Sequence, residues 1–319
     1  MGFTGPGRRS VAPVLPGPRQ RVVTLEPDDA RAVAERFALG DVESVAMAAR
    51  GWASLNVTWR IRTTLGAWAV KDVARESPPE LEAAAEIELA AEQLGVLLPR
   101  VVPSRAGTIT ATVGGRVFRC HEFVTGEPPT GALRATEAAS AGEALGLIHH
   151  AELPWKPESM HANTFGEAHW HDLIDRAARL GAPWTKQVRA AMPAILAAEE
   201  LAAEWWRRPH RWIGSHRDVR PDNALRSDAG LLLVDWDAAG PVVQGREVER
   251  TLPWWEPHAD TFLRGYQNVV GDVDLDEGHG DDGGLGWWLE TNVRHALALP
   301  GDDERNWAVS ALVANFRVT

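Results

Sequence analysis

The stretch Gly214-Ser215-His216-Arg217-Asp218-Val219-Arg220-Pro221-Asp222-Asn223-Ala224-Leu225 offers a carboxylate, Asp218, and five residues on an amide, Asn223. Twelve residues after Asn223, the apolar run Leu231-Leu232-Leu233-Val234 ends in Asp235-Trp236-Asp237. Phosphoryl transfer asks little more of side chains than this. One carboxylate must orient the attacking hydroxyl, and oxygen ligands must hold the magnesium ion on the nucleotide phosphates.

His-x-Asp-x-x-x-x-Asn followed by an apolar strand and an Asp resembles the catalytic-loop and metal-loop pair of the protein-kinase-like fold. Val234-Asp235-Trp236-Asp237 is more similar to the aminoglycoside phosphotransferase and choline kinase branch, where a Trp often follows the metal Asp, than to Asp-Phe-Gly. One position departs. That branch usually has Gly between the His and the Asp, and this chain has Arg217, as protein kinases do.

The resemblance implies an α+β, bilobal protein-kinase-like fold, with a small β-rich N-lobe over residues 21–124 and a larger helical C-lobe over 125–319. It also implies transfer of the γ-phosphoryl group of ATP or GTP, with Mg2+, to a hydroxyl on a small molecule. Asp218 would accept a hydrogen bond from that hydroxyl and take its proton late. A carboxylate is a weak base, so orientation matters more than proton abstraction. Asn223 and Asp235 would hold Mg2+. Arg220, where protein kinases usually have Lys, would touch the transferred phosphate. His216 would shape the loop. Asp237 is expected to share the face of Asp235 in a strand-like segment, and to assist the metal or reach the acceptor.

These residues need elements to position them. Pro27 and Asp28 open a helix through about Phe37, with Gly40 beyond it. Strands are expected at Val42–Ala49, Leu55–Ile61 and Trp68–Val73, the last two from period-two alternation. Between the first two lies Gly51-Trp52-Ala53-Ser54, which resembles the short nucleotide-covering loop of the family, with Gly51, Ser54 and Asn56 at small or polar positions; a plain hairpin turn fits as well. Lys71, near the end of the third strand, corresponds to the lysine that meets the α- and β-phosphates.

Ser77-Pro78-Pro79-Glu80 starts a helix to about Leu94, with Ser77 as cap and an apolar stripe of Ala84, Ile87, Ala91 and Leu94. The fold needs one glutamate on it to hold Lys71. Glu86 is the first candidate and Glu88 the second. A hairpin turning at Gly114-Gly115 leads into His121-Glu122-Phe123-Val124-Thr125-Gly126-Glu127, where the family has its hinge. Adenine would pair with backbone groups near His121 and Phe123.

Helices then dominate. Ala135–His150 ends in a Leu-Ile-His run, with His149 expected to brace the catalytic loop. Asp172–Leu180 and Thr185–Trp206 follow. His169-Trp170-His171 has period-two spacing on a helix and no cysteine nearby, which disfavours a metal site. Trp254-Trp255 to Tyr266, Trp287–Leu299 and Asn306–Phe316 are expected to be helical. Gly271–Gly286 is acidic and Gly-rich, and reads as a surface loop.

Bulk properties narrow the partners. The 319 residues suffice for one large domain or two modest lobes. A formal net charge of -11 argues against a nucleic-acid partner. No apolar run approaches the ~20 residues of a membrane span. Residues 1–20 are rich in Gly and Pro and lack an apolar h-region, so a loose tail without a signal peptide is expected. The single cysteine, Cys120, excludes an internal disulfide and suits a reducing cytoplasm. Among acceptors, aminoglycosides suit an acidic surface, and choline-like or ethanolamine-like molecules suit some of the fifteen Trp as aromatic walls. Two rivals stand beside the small-molecule enzyme. Arg217 suggests a protein kinase, although no Ala-Pro-Glu stretch follows. A silent nucleotide-binding scaffold usually loses one of Lys71, Asp218, Asn223 and Asp235, and all four are present.

Overall fold

A computed structural model of the chain describes residues 24–50, 56–73, 78–129, 133–153, 164–276, 284–298 and 300–316. The expected tail at 1–20, the Ser77 cap, and Gly51 and Ser54 lie outside these residues.

The N-terminal part is a five-stranded antiparallel sheet with helices on its two faces. Helix α1 (Pro27–Arg36) begins with Pro27 and two aspartates in its first turn and ends near Arg36, an arrangement that suits the helix dipole. Strands β1 (Val42–Arg50), β2 (Val57–Thr63) and β3 (Gly66–Val73) form a meander. Helix α2 (Pro78–Gln93) intervenes before the hairpin of β4 (Thr110–Val113) and β5 (Arg116–Glu122). The sheet order β1-β2-β3-β5-β4 sets β5 beside β3. Period-two alternation then divides β5. Phe118 and Cys120 join Val33, Phe37, Ile61 and Val70 in the core under α1, while Val117 packs with Leu81 and Ala85 of α2.

Helix α2 corrects one expectation. Its buried residues are Leu81, Ala84, Ala85, Ile87, Glu88 and Ala91, whereas Leu94 is 38% exposed. The helix stops at Gly95, which has φ 89°, and Val96 turns back so that its N–H donates to the Ala91 carbonyl at 3.0 Å. Val96, 5% exposed, fills the place expected of Leu94.

Beyond β5 the chain is mostly helical. Helix α3 (Ala135–His150) is followed by α4 (Glu167–Arg179) and α5 (Thr185–Trp206). Three short strands come next: β6 (Trp212–Ser215), β7 (Ala224–Ser227) and β8 (Gly230–Leu233). Strand β9 (Gly240–Val243) pairs with β6, and β7 pairs with β8. Helices α6 (Gln244–Thr251), α7 (Ala259–Val270), α8 (Gly284–Ala298) and α9 (Asp303–Val313) complete the order.

The helix expected from Trp254 begins only at Ala259. Pro257 lacks an N–H and disfavours helical backbone in Glu256, so Leu252–Trp255 closes as a short 3-10 turn instead. Helix α4 starts at Glu167, five residues before the expected Asp172, because Trp170 is fully buried and pulls the preceding turn into the core.

Two close approaches set the frame around the site. A Cβ on Gly142 of α3 would stand 2.0 Å from the Phe262 carbonyl oxygen, and one on Gly265 of α7 would stand 2.3 Å from that of Ala139. Only glycine lets α3 and α7 touch backbone to backbone. Their core, with Leu145, Ile148, Trp255, Phe262 and Tyr266, also holds Val219, Leu233 and Trp236 of the candidate loops. The chain leaving β5 is tied to β7 by paired backbone bonds of Glu127 and Arg226 at 3.2 and 2.8 Å. Arg226 is itself held by Glu137 at 2.5 Å.

Candidate active site

Strand β6 delivers Ser215 and His216 into the interior, both 0% exposed. His216 Nε2 donates to the Val234 carbonyl at 3.1 Å, which leaves Nδ1 as the acceptor for the Asp218 N–H at 3.3 Å. His216 therefore binds the first loop to the second strand and does not face a reactant.

Arg217 stands at φ 69°, the left-handed region. A glycine would enter this region freely, whereas a side chain costs about 1–2 kcal/mol. The Glu247 carboxylate compensates by accepting the Arg217 N–H at 2.7 Å. Glu247 is buried and also meets His149 Nε2 at 2.9 Å, and His149 reaches Ser215 and Tyr266 at 3.1 and 2.8 Å. His149 thus braces the loop, as expected. Burial pushes the Glu247 carboxyl up, but the hydrogen bond and charge of His149 outweigh that and hold it below the ordinary carboxylate range.

The rest of the loop is a short 3-10 turn, Pro221–Asn223. Asn223 is buried, and its Nδ2 donates to Asp218 Oδ2 at 2.7 Å and to the Asp218 carbonyl at 3.0 Å. The carbonyl of Asn223 accepts the Val234 N–H at 2.9 Å. The residue after Val234 is Asp235, so Asp218, Asn223 and Asp235 are linked by two successive hydrogen bonds and one peptide step. Asp218 keeps 37% of its side chain exposed, and Arg220 Nε lies 3.4 Å from Asp218 Oδ1.

Asp235 has φ 67° and ψ 55°, which ends the strand. This overturns the strand-like reading of Asp237. Trp236–Ala238 is a 3-10 turn, Trp236 plugs the core, and Asp237 is buried and turned toward the sheet, where it meets Lys71 and Arg119. Lys71 Nζ forms a short ion pair with Asp235 and another, at 2.5 Å, with Asp237.

The glutamate expectation needs the same correction. Glu86 is exposed, and the two carboxylates on Lys71 come from the Asp235–Asp237 turn. The buried glutamate of α2 is Glu88, and it meets Arg119 and His121, the latter at 2.9 Å. Arg119 also donates to Asp237 at 2.7 Å. Sheet register explains the arrangement. Lys71 lies directly opposite Arg119 across β3 and β5. Two cations facing each other repel, so an acid must sit between them, and Asp237 does. Arg119 escaped the sequence reading because only the register puts it beside Lys71.

Charges follow this network. Burial alone would lower the Lys71 ammonium, but Asp235 and Asp237 override it and raise its pKa. Burial alone would raise Asp237 and Glu88. Lys71 and Arg119 hold Asp237 low, and His121 and Arg119 hold Glu88 low.

The signs give a stability prediction. Asp237, Glu88 and Glu247 all have depressed folded values, so their contribution is complete above their unfolded values of about 4 and is lost as pH falls through the folded ones. Lys71 is raised, so its contribution is complete below about pH 10 and is lost only above that. The melting temperature should stay level from about pH 8 to 5 and fall below about pH 4. Asp237→Asn should flatten that acid fall; an equally steep fall in the variant would contradict the assignment.

The hinge expectation is corrected in part. The Phe123 N–H donates to the Ala67 carbonyl at 3.0 Å, and the Glu122 N–H to that of Arg100 at 2.9 Å. His121 pairs with both Ala69 and Val101. These groups belong to the sheet, and the Phe123 ring lies under Arg60. The first N–H groups past the sheet are those of Val124–Gly126. His169 and His171 are engaged by Glu290 and Glu167, and no cluster of three or more metal-ligating His, Cys, Asp or Glu occurs among the described residues.

The donors suit magnesium. Mg2+ takes oxygen ligands, and enzymes hold it through one or two carboxylates plus substrate phosphates. Asn223 spends its amide N–H on Asp218, which leaves its carbonyl oxygen for a cation, and Asp235 offers an exposed carboxylate.

A five-stranded sheet carrying a paired lysine, joined to helices that frame two acidic loops, defines a kinase-like phosphotransferase. The chain belongs to the phosphotransferase enzyme family, whose profile matches residues 48–272. Spectinomycin phosphotransferase, solved with ADP and spectinomycin, has the same fold, with a TM-score of 0.61 and 11% identity over 91% of this chain and 97% of that one. An amicoumacin kinase, solved with AMP-PNP and Ca2+, superposes with a TM-score of 0.57 and 14% identity over 89% and 91%. An aminoglycoside phosphotransferase from Alicyclobacillus acidocaldarius gives 0.51 and 16% over 92% and 97%. No curated protein sequence is significantly similar. As a family member the chain is a small-molecule phosphotransferase.

Proposed function

We propose that the chain moves the γ-phosphoryl group of ATP or GTP, with Mg2+, to a hydroxyl of a small molecule, and that Asp218, Asn223, Asp235 and Lys71 carry the reaction. The linkage of Asp218 through Asn223 to Asp235, with Lys71 on that same Asp235, is the observation that supports it most.

Asp218 accepts the hydrogen bond of the acceptor hydroxyl and aims its oxygen; the Asn223 amide fixes the carboxylate for that task. Asn223 Oδ1 and Asp235 hold the cation. When bound, Mg2+ gathers the phosphate oxygens and neutralises charge that develops on them. Lys71 turns from Asp235 to the phosphates, while Asp237 and Arg119 keep its position on β3. Arg220 stands beside Asp218 to meet the phosphoryl group in transit. The neighbours' nucleotides, ADP and AMP-PNP, support nucleotide use by this chain. The lobes divide near residue 124, with the nucleotide side before it.

Asp235→Ala is expected to weaken nucleotide binding about tenfold or more in the presence of Mg2+ and to change it little in EDTA. Titration calorimetry with AMP-PNP checks both conditions, and equal affinities for the variant and the parent in Mg2+ would remove Asp235 from the site.

A further inference from the structure

Strand β2 turns Val57, Trp59 and Ile61 under α1. Alternation puts Thr58 and Arg60 on the opposite face. Thr58 pairs with Lys71 and Arg60 with Ala69, so Arg60 shares the face of the candidate lysine. Helix α2 covers that face only at Val73 and Val117. Ala67, Ala69, Thr58 and Arg60 stay half-buried. Arg60 and Phe123 stand on either side of β3, yet the guanidinium lies 4.4 Å from the Phe123 ring centroid. Their contact passes over β3, and the two alanines leave room for it. Among the described residues Arg60 Nε is buried without a hydrogen-bond acceptor, and no carboxylate pairs with the guanidinium. A cation–π contact at a part-exposed site is worth less than a buried donor left unmade costs. The stack on Phe123 therefore does not account for the side chain, and an acceptor is wanting.

We propose that Arg60 is a specificity-determining residue that reads the N7 and O6 edge of a purine, so that this chain prefers a guanine nucleotide to an adenine one. This deepens the phosphotransferase reading and rests on it. Ala69 lies about 7 Å along β3 from Lys71. A nucleotide with its phosphates at Lys71 and its base edge at the free N–H groups of Val124–Gly126 passes over Ala69, which brings the base beside Arg60. A guanidinium only donates hydrogen bonds. Guanine sets two acceptors, N7 and O6, side by side, and they match the guanidinium fork. Adenine sets an amino donor beside N7, so one donor would face another. The solved relatives hold adenine nucleotides, but at 11% and 14% identity they share the fold and do not specify the base taken here.

Calorimetry on the full chain with Mg2+ compares GMP-PNP, IMP-PNP and AMP-PNP. Inosine keeps N7 and O6 and lacks only the 2-amino group, so IMP-PNP isolates the edge that Arg60 reads. GMP-PNP and IMP-PNP should each bind about tenfold or more tightly than AMP-PNP, which still binds. Arg60→Ala should bring all three to within about threefold of one another, and a ratio within one variant cancels a general loss of folded protein. Arg60→Lys keeps the charge and loses the fork, so it should also lose most of the preference. AMP-PNP that matches or exceeds GMP-PNP in the parent would overturn the inference. So would IMP-PNP at the level of AMP-PNP, which assigns any guanine preference to the 2-amino group. A preference that persists in Arg60→Ala, or variants that weaken all three nucleotides equally, would overturn it as well. The phosphotransfer reading fails separately, if Asp235→Ala leaves Mg2+-dependent nucleotide affinity intact.

Discussion

Asp218→Ala is expected to lower turnover by about 10²–10⁴-fold, the usual range for a positioned acid or base, while nucleotide affinity stays near the parent value. The asymmetry follows from what Asp218 touches. Its carboxylate is part exposed and receives the Asn223 amide, whereas Lys71 and Asp235 form their own pair. Asp218→Asn separates two effects. It keeps the shape of the side chain but removes its charge, so a comparable loss assigns the effect to the carboxylate, and recovery of turnover assigns it to packing around Asn223. Steady-state ADP release with an accepted substrate and calorimetry with AMP-PNP measure the two quantities. Parent-like turnover in both variants would remove Asp218 from catalysis.

Asp237→Ala is expected to be the most destabilising substitution near the site. Asp237 lies between Lys71 and Arg119, both cations on neighbouring strands of one sheet. Arg119 is 1% exposed and cannot turn out to water. Removing one partner of a buried ion pair typically costs about 3–5 kcal/mol; Arg119 keeps Glu88 and Lys71 keeps Asp235, so the loss is expected at the lower end of that range. Native stabilities are about 5–15 kcal/mol, so the loss is a large share. For a chain of this size it corresponds to a drop in melting temperature of roughly 5 °C. Calorimetric melting at pH 7 checks it. A drop under about 2 °C in the single variant would mean that water reaches Arg119 and that the network is not closed.

The sequence carried the site further than it carried the site's support. Asp218, Asn223 and Asp235 were legible because a short loop and a strand end fix them locally, and spacing reports local geometry. Lys71 was legible for the same reason, as a cation near the end of an alternating strand. The partner of Lys71 was not. Pattern reading on α2 put Glu86 at the edge of the apolar stripe and ranked it first, yet the helix buries Glu88. An acid inside an apolar face gives no periodic signal, because its burial is licensed by Arg119 and His121 from another element. Asp237 was misread because alternation was carried one step past Asp235, whose left-handed backbone ends the strand. Arg217 shows the converse. Its departure from the usual glycine was plain in the sequence, but its meaning needed the backbone angle and the Glu247 carboxylate that holds its N–H.

The Trp residues divide in a similar way. Trp170, Trp184 and Trp255 are fully buried and serve packing, while Trp254 stands 53% exposed beside Arg220. Composition alone could not separate them. Residue type sets how much apolar area a Trp can bury, and tertiary contacts decide whether it does.

The central claim is that one cation and its nucleotide sit between Asn223, Asp235 and Lys71, with Asp218 beside them. A crystal structure of the chain with Mg2+ and AMP-PNP tests it most directly. The account predicts the cation on Asn223 Oδ1 and Asp235, and Lys71 released from Asp235 onto the phosphates while it keeps Asp237. A cation held by other residues, or a nucleotide whose phosphates lie away from Lys71, would contradict it.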